Sequence, residues 1–194
     1  MAKQQIVLAS RSPRRRELLE KIGIRDFLIE EAGIDEAAVS RGCTSCAETV
    51  TLLARAKAEE VSARHPDAVV IGSDTAVTID GRILGKPADF REAQEMLRLL
   101  SGREHQVMSG VCVCAGGQVH CACEITAVQF RELTDREIDA YIEAEPPFDK
   151  AGAYGIQGLA ALFVERISGD YYNVMGLPLC RLGSLLRSIG FSLL

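Results

Sequence analysis

Apolar positions recur along this chain at two alternating periods. The run from Gln5 to Ala9 reads as a strand, and behind it Leu18, Leu19 and Ile22 fall at helical spacing, with Ser12 as N-cap and Pro13 in the first helical position. A second strand is expected over Phe27 to Ala32. It leads into Gly33-Ile34-Asp35-Glu36 and a weakly patterned loop around Arg41 to Ser45. From Ala47 to Ala63, Val50, Leu53, Ala54, Lys57, Ala58 and Val61 make one helical stripe that includes a lysine on the side expected to be buried. Ala68 to Ser73 is a continuous apolar run of the kind buried on both faces, ending in Asp74-Thr75.

Asp80-Gly81 marks a hairpin turn, and Gly85-Lys86-Pro87 precedes a helix over Phe90 to Leu100. Two long strands are predicted near Gln106 to Ala115 and Gln118 to Phe130, joined at Gly116-Gly117. A helix over Asp135 to Ala144 opens with the capping-box pattern of Thr134 and Glu137, and Ile138, Tyr141 and Ile142 mark its buried face. Asp149 to Gly158 shows neither period and carries three glycines, so it reads as a shaped loop open to close approach by a ligand. From Gly176 to Ile189, leucines at helical spacing predict a packing helix.

The 194 residues, 47% of them hydrophobic, suit one domain spanning 1–194, with room for two lobes. Net charge is -5, yet residues 1 to 25 hold seven basic and two acidic side chains against fifteen and twenty-five in the remainder. Such a local basic cluster fits a small polyanion and not the extended patch a nucleic acid needs. Met1 to Gln5 contain no hydrophobic leader, and no apolar run approaches the roughly 18 residues that span a bilayer. No membrane partner and a cytoplasmic location are therefore expected. Seven cysteines, an odd count in that setting, point to reduced thiols, although a facing pair could oxidise. Cys112, Cys114, Cys121 and Cys123 fall on one face of the expected hairpin as small apolar residues, with Cys112 and Cys121 as neighbours.

Arg14 and Arg15 occupy the first turn of the first helix, where the dipole disfavours a cation by roughly 0.3 to 1 kcal/mol unless an anion joins it. Both lean toward the apolar side, whereas Arg16 pairs with Glu20 four residues on. Lys57 on its buried stripe and Lys86 between two conformationally special residues add positioned cations suited to phosphate. Asp74, expected at the carboxyl end of a buried strand, is the best candidate to accept a proton from water or hold a divalent cation. The chain carries no Walker A, GxGxxG or kinase signature.

Taken together, Ser10-x-Ser12-Pro13-Arg14-Arg15, Leu53-Ala54-x-x-Lys57-Ala58, Gly72-Ser73-Asp74-Thr75, Gly85-Lys86-Pro87, Ala151 to Gly158 and Asn173-x-x-Gly176-Leu177-Pro178 resemble the Maf family of nucleotide pyrophosphatases, over nearly the whole chain. The resemblance implies a Maf/inosine triphosphatase-like α/β fold, with a mixed twisted sheet flanked by helices and two lobes around a deep cleft. It also implies hydrolysis of nucleoside triphosphates to a monophosphate and pyrophosphate with a divalent cation, Mg²⁺ or Mn²⁺. By matching position, Ser10, Arg14, Arg15, Lys57 and Lys86 become triphosphate contacts, Asp74 the proton acceptor or metal ligand, and Glu36 a second metal carboxylate. Asp35 and Glu36 are equally eligible for that last role from local pattern alone. Arg14, Thr75 and Gln157 match the Arg, Thr and Gln of the subfamily acting on dTTP and UTP, where the 7-methyl-GTP subfamily has Trp, Gln and Glu. Both uracil and thymine present an edge that Gln157 can meet with its donor and acceptor. The family is also linked to division arrest and septum formation and to keeping modified nucleotides out of nucleic acids, so a nucleotide-binding regulator is the rival class. A homodimer is compatible with the pattern.

Overall fold

A computed structural model describes residues 4–193; Met1 to Lys3, part of the segment read as lacking a leader, lie outside the described residues. Among the described residues, seven strands form one mixed sheet: β1 (Ile6–Leu8), β2 (Phe27–Ile29), β3 (Val69–Ile79), β4 (Arg82–Leu84), β5 (Glu104–Ala115), β6 (Gln118–Phe130) and β7 (Val164–Ser168), in the order β2-β1-β3-β5-β6-β7 with β4 paired to β3. β1 is parallel to both β2 and β3, whereas β4 and β7 are antiparallel to β3 and β6. The helices are α1 (Pro13–Lys21), α2 (Glu36–Val39), α3 (Cys46–Arg64), α4 (Phe90–Leu100), α5 (Asp135–Ala144), α6 (Tyr171–Met175) and α7 (Leu179–Ser188), with 3₁₀ turns at Ala151–Ala153 and Leu159–Phe163. Among the described residues no helix is long and apolar enough to cross a membrane.

The chain divides into two compact units, one of residues 1–75, 109–124 and 176–194, the other of 76–108 and 125–175. Neither is continuous in sequence, because β3, β5 and β6 each contribute to both. In the first unit the core joins Val7, Ala9 and Val70 of the sheet side to Ala54, Ala58 and Val61 of α3, with Cys112 and Cys114. α3 sits unusually close to the sheet. A Cβ at Gly72 would lie 2.3 Å from the Ala54 carbonyl oxygen, and one at Gly110 would lie 2.1 Å from that of Val50. In the second unit α4 packs on α5, and His105, Phe130, Tyr141, Tyr154 and Phe163 form a chain of edge-to-face ring contacts.

Several sequence expectations are revised. β3 does not stop before Asp74: it runs on to Ile79, because Ala76 to Ile79 keep an apolar pattern and pair with β4 across the Asp80-Gly81 turn. β2 is shorter than Phe27 to Ala32, and the segment after it contains α2, whose N-cap Asp35 accepts the Ala38 amide hydrogen. The C-terminal helix begins at Leu179 and not at Gly176, since Gly176 has φ of 110° and Pro178 caps the helix. Cys112 and Cys121, the neighbours whose redox state the sequence left open, are joined in a disulfide. They face each other across the hairpin that turns at Gly116-Gly117, with Cα atoms 4.1 Å apart.

Candidate active site

Asp74 lies within β3 at the point where its side chains change from buried to half-buried, and Lys57 projects from α3 beside it. The Lys57 ammonium is 2.7 Å from Asp74 Oδ1 and 2.7 Å from Glu36 Oε1, so one cation holds two carboxylates. The Lys57 and Asp74 side chains are only 14% and 18% exposed, whereas Glu36 is 58% exposed on the first turn of α2. Asp35 is consumed as the N-cap of α2, leaving Glu36 to face Lys57. The stripe that placed a lysine on the buried face of α3 is explained too: its charge is met by the pair of carboxylates, which removes the cost of burying it alone.

Arg15, expected as a triphosphate contact, is bonded within the protein through all three of its nitrogens. Its Nε donates to the Gly176 carbonyl at 2.8 Å, Nη1 to Ser10 Oγ at 3.0 Å and Nη2 to Thr75 Oγ1 at 3.1 Å. Burial lowers its pKa, the Asp74 and Glu36 charges raise it, and Arg14 lowers it further, so all four groups share one electrostatic neighbourhood. The two ends of the guanidinium still carry one hydrogen each beyond these bonds, enough to meet an anion. Thr75 is equally enmeshed: its hydroxyl lies 2.8 Å from Ser109 Oγ and 3.3 Å from the Gly176 carbonyl. Ser73 Oγ donates to the Gly110 carbonyl at 2.9 Å, also within reach of Gly176 O at 3.2 Å. Ser10 completes the cluster and accepts the Ser12 amide hydrogen. Ser10, Arg14, Arg15, Glu36, Lys57, Asp74 and Thr75 thus gather in the first unit. Ser73, Ser109 and the Gly176 carbonyl were missed as partners, although Gly176 stood in a recognised motif.

Cys46 opens α3 and feels both Asp74 and Cys123, but burial pushes its thiol up to about 11, which leaves it a poor nucleophile at neutral pH. Lys86 and Gln157 belong to the second unit, both exposed. The loops that carry them are tied together, since the Gly152 amide donates to the Gly85 carbonyl at 3.0 Å. Gln157 stands on a turn closed by the Gly158 amide bonding to Gly155 O at 3.1 Å.

A lysine between two carboxylates, with the Arg15 hydrogen-bond cluster in the same unit, stands on a mixed sheet flanked by helices, an α/β architecture. Comparison with known proteins makes this specific: residues 5–189 match the model of the family described as Maf-like protein, and the chain belongs to that family. It is 51% identical over 188 residues to a dTTP/UTP pyrophosphatase of Symbiobacterium thermophilum, covering 97% of this chain and 95% of that one. Relatives with the same description from Halalkalibacterium halodurans (47% identity, 96% and 97% covered) and Thermococcus gammatolerans (50%, 97% and 98%) are similar to it as well. A solved structure of a HAM1 protein from Coxiella burnetii aligns with a TM-score of 0.42 and 16% identity over 66% of this chain and 73% of that chain, too distant to carry an argument.

Proposed function

We propose that this protein hydrolyses dTTP and UTP to the nucleoside monophosphate and pyrophosphate. The observation that carries the reading is the carboxylate pair of Asp74 and Glu36 converging on Lys57, beside the Arg15 cluster, in a chain about half identical to proteins described as acting on those nucleotides. Asp74 accepts the proton of the water that attacks the α-phosphorus. Arg14 and the two spare hydrogens of Arg15 neutralise the polyphosphate as charge builds on the leaving pyrophosphate, a task for which Lys86 is proposed on its match to the family motif alone. Ser10 and Thr75 hold Arg15 in place for that task.

Two carboxylates fit a small hard cation that keeps phosphate oxygens and water for the rest of its shell. Asp74 and Glu36, which converge on Lys57, are the residues that would hold it, although among the described residues no group of three or more His, Cys, Asp or Glu could hold a metal ion. Mg²⁺, with Mn²⁺ as the alternative, would supply charge neutralisation and a more acidic bound water. Lys57 offsets the repulsion between the two carboxylates.

Gln157 reads the base. Its amide offers a donor and an acceptor together, matching the alternating edge of uracil or thymine. A cytoplasmic location, a nucleoside triphosphate as the small-molecule partner, and no nucleic-acid or membrane partner belong to the same reading. Turnover of dTTP, UTP, CTP, GTP and 7-methyl-GTP with Mg²⁺ tests it: dTTP and UTP should lead by at least about tenfold in kcat/KM. Preference for 7-methyl-GTP would overturn the base assignment.

A further inference from the structure

Gln157 is exposed, and a single exposed glutamine selects a base only if the backbone beneath it is fixed. The turn is clamped from below at several points. Gly152 (φ 68°) and Ala153 (φ 59°) are consecutive left-handed residues, and Ala153, with a Cβ, is wholly buried in that strained conformation. A Cβ at Gly152 would meet the Val77 side chain at 2.9 Å. The Gly155 amide donates to the Tyr141 hydroxyl at 3.3 Å, and Glu145 Oε2 accepts the Leu159 amide hydrogen at 2.8 Å. That carboxylate fills the space beside Gly158, where a Cβ would fall 2.1 Å from Oε2.

The remaining anchor has no part in the chemistry described so far. His105, on β5, is 2% exposed, and its Nε2 lies 2.8 Å from the Tyr154 hydroxyl, three residues before Gln157. Its ring meets those of Phe130 and Tyr154 edge to face, at 4.9 and 5.4 Å between centroids. Tyr154 is 6% exposed, and its hydroxyl would be buried without this partner. We propose that His105, acting through Tyr154, is a positioning residue for base selection: it fixes the turn that presents Gln157 without touching the substrate. The proposal rests on the assignment of Gln157 to base reading. Burial holds the His105 pKa down at about 4 against the pull of the Arg103 backbone, so the ring is neutral at physiological pH and the contact is a hydrogen bond between neutral groups.

Loss of the bond by His105→Phe keeps the ring packing and strands the Tyr154 hydroxyl; Tyr154→Phe removes that hydroxyl; His105→Gln restores a polar atom near the Nε2 position. The test measures kcat/KM for dTTP and GTP in these three variants and in Gln157→Ala, with the urea midpoint of each. In the two phenylalanine variants the dTTP-over-GTP ratio should fall about tenfold through KM for dTTP with kcat held, and His105→Gln should recover most of it. Equal losses on both nucleotides, or a wild-type ratio in folded His105→Phe, would overturn the proposal. Should His105→Phe not fold, folded Tyr154→Phe with a wild-type ratio overturns it. A flattened ratio in Gln157→Ala combined with a wild-type ratio in the His105 and Tyr154 variants sinks the positioning role alone. An unchanged ratio in Gln157→Ala overturns base reading by Gln157 itself, and this proposal with it.

Discussion

Replacing Gly72 by alanine should damage stability and activity together, although the residue is buried and has no side chain. Its new Cβ would stand 2.3 Å from the Ala54 carbonyl oxygen and 2.9 Å from Ala58 Cβ, where ordinary contact begins at 3.4 Å. The first obstacle is helix backbone, so α3 must retreat by about 1 Å, a gap that forfeits a quarter to a half of the dispersion attraction along that seam. The seam is lined by Val50, Leu53, Ala54, Ala58 and Val61, all buried. Overpacking typically costs 1–3 kcal/mol, and a clash with backbone puts this case at about 3. With a urea slope of about 2 kcal/mol/M, the midpoint should drop by roughly 1.5 M. Lys57 rides between Ala54 and Ala58, so the same retreat breaks its 2.7 Å contacts with Asp74 and Glu36. A misplacement of 1 Å at a reacting centre lowers turnover by about a hundredfold. Gly110→Ala should behave alike, its Cβ meeting the Val50 carbonyl. Gly183→Ala, inside α7 with nothing within 4 Å, should instead stabilise by up to about 1 kcal/mol. A Gly72→Ala protein with the wild-type urea midpoint and turnover would refute the argument that close approach of α3 places Lys57.

Asp74→Asn should lower kcat by about a thousandfold while a non-hydrolysable dTTP analogue still binds, as isothermal calorimetry would show; near-normal turnover removes Asp74 from proton transfer. Gln157→Glu substitutes a carboxylate with no donor hydrogen for the amide and should cut the preference for dTTP and UTP about tenfold or more, measured as kcat/KM ratios. His105 should make the fold acid-sensitive. Its folded pKa of about 4 lies below the ordinary 6.5, so the unfolded chain binds the extra proton, and stability is lost as pH falls from about 6.5 to 4. The shift corresponds to about 3 kcal/mol, visible as a steeper fall of the urea midpoint over that range than in His105→Gln; parallel curves for the two proteins would contradict it.

Elements with local start and stop signals were legible in the sequence. The helix over Phe90 to Leu100 is bounded by Asp89, which caps it, and α5 begins at the Thr134–Glu137 capping box with both reciprocal bonds formed. The hairpin of β5 and β6 follows from Gly116-Gly117. Short pieces escaped: α2, α6 and the two 3₁₀ turns are at most five residues long, too brief to display a period, and β7 reads Val-Glu-Arg-Ile-Ser with most positions exposed. The end of β3 was misjudged because Ser73-Asp74-Thr75 interrupts an apolar run that resumes beyond it.

At the site, residue types were readable and partners were not. The helical stripe showed that Lys57 and Arg15 turn inward. Only the fold reveals that Lys57 meets two carboxylates from separate elements, or that Arg15 reaches a carbonyl 161 positions away. Pairings at that separation are set by topology, which no local pattern encodes. Thr75 illustrates the difference: a residue matched for specificity has its hydroxyl committed to Arg15, Ser109 and Gly176.

The most direct measurement of the central claim is hydrolysis of dTTP with Mg²⁺ in water enriched in ¹⁸O, with the products separated and weighed by mass spectrometry. Attack on the α-phosphorus by water activated at Asp74 predicts one heavy oxygen in dTMP and none in pyrophosphate. Label in the pyrophosphate, or release of orthophosphate and dTDP, would contradict the account.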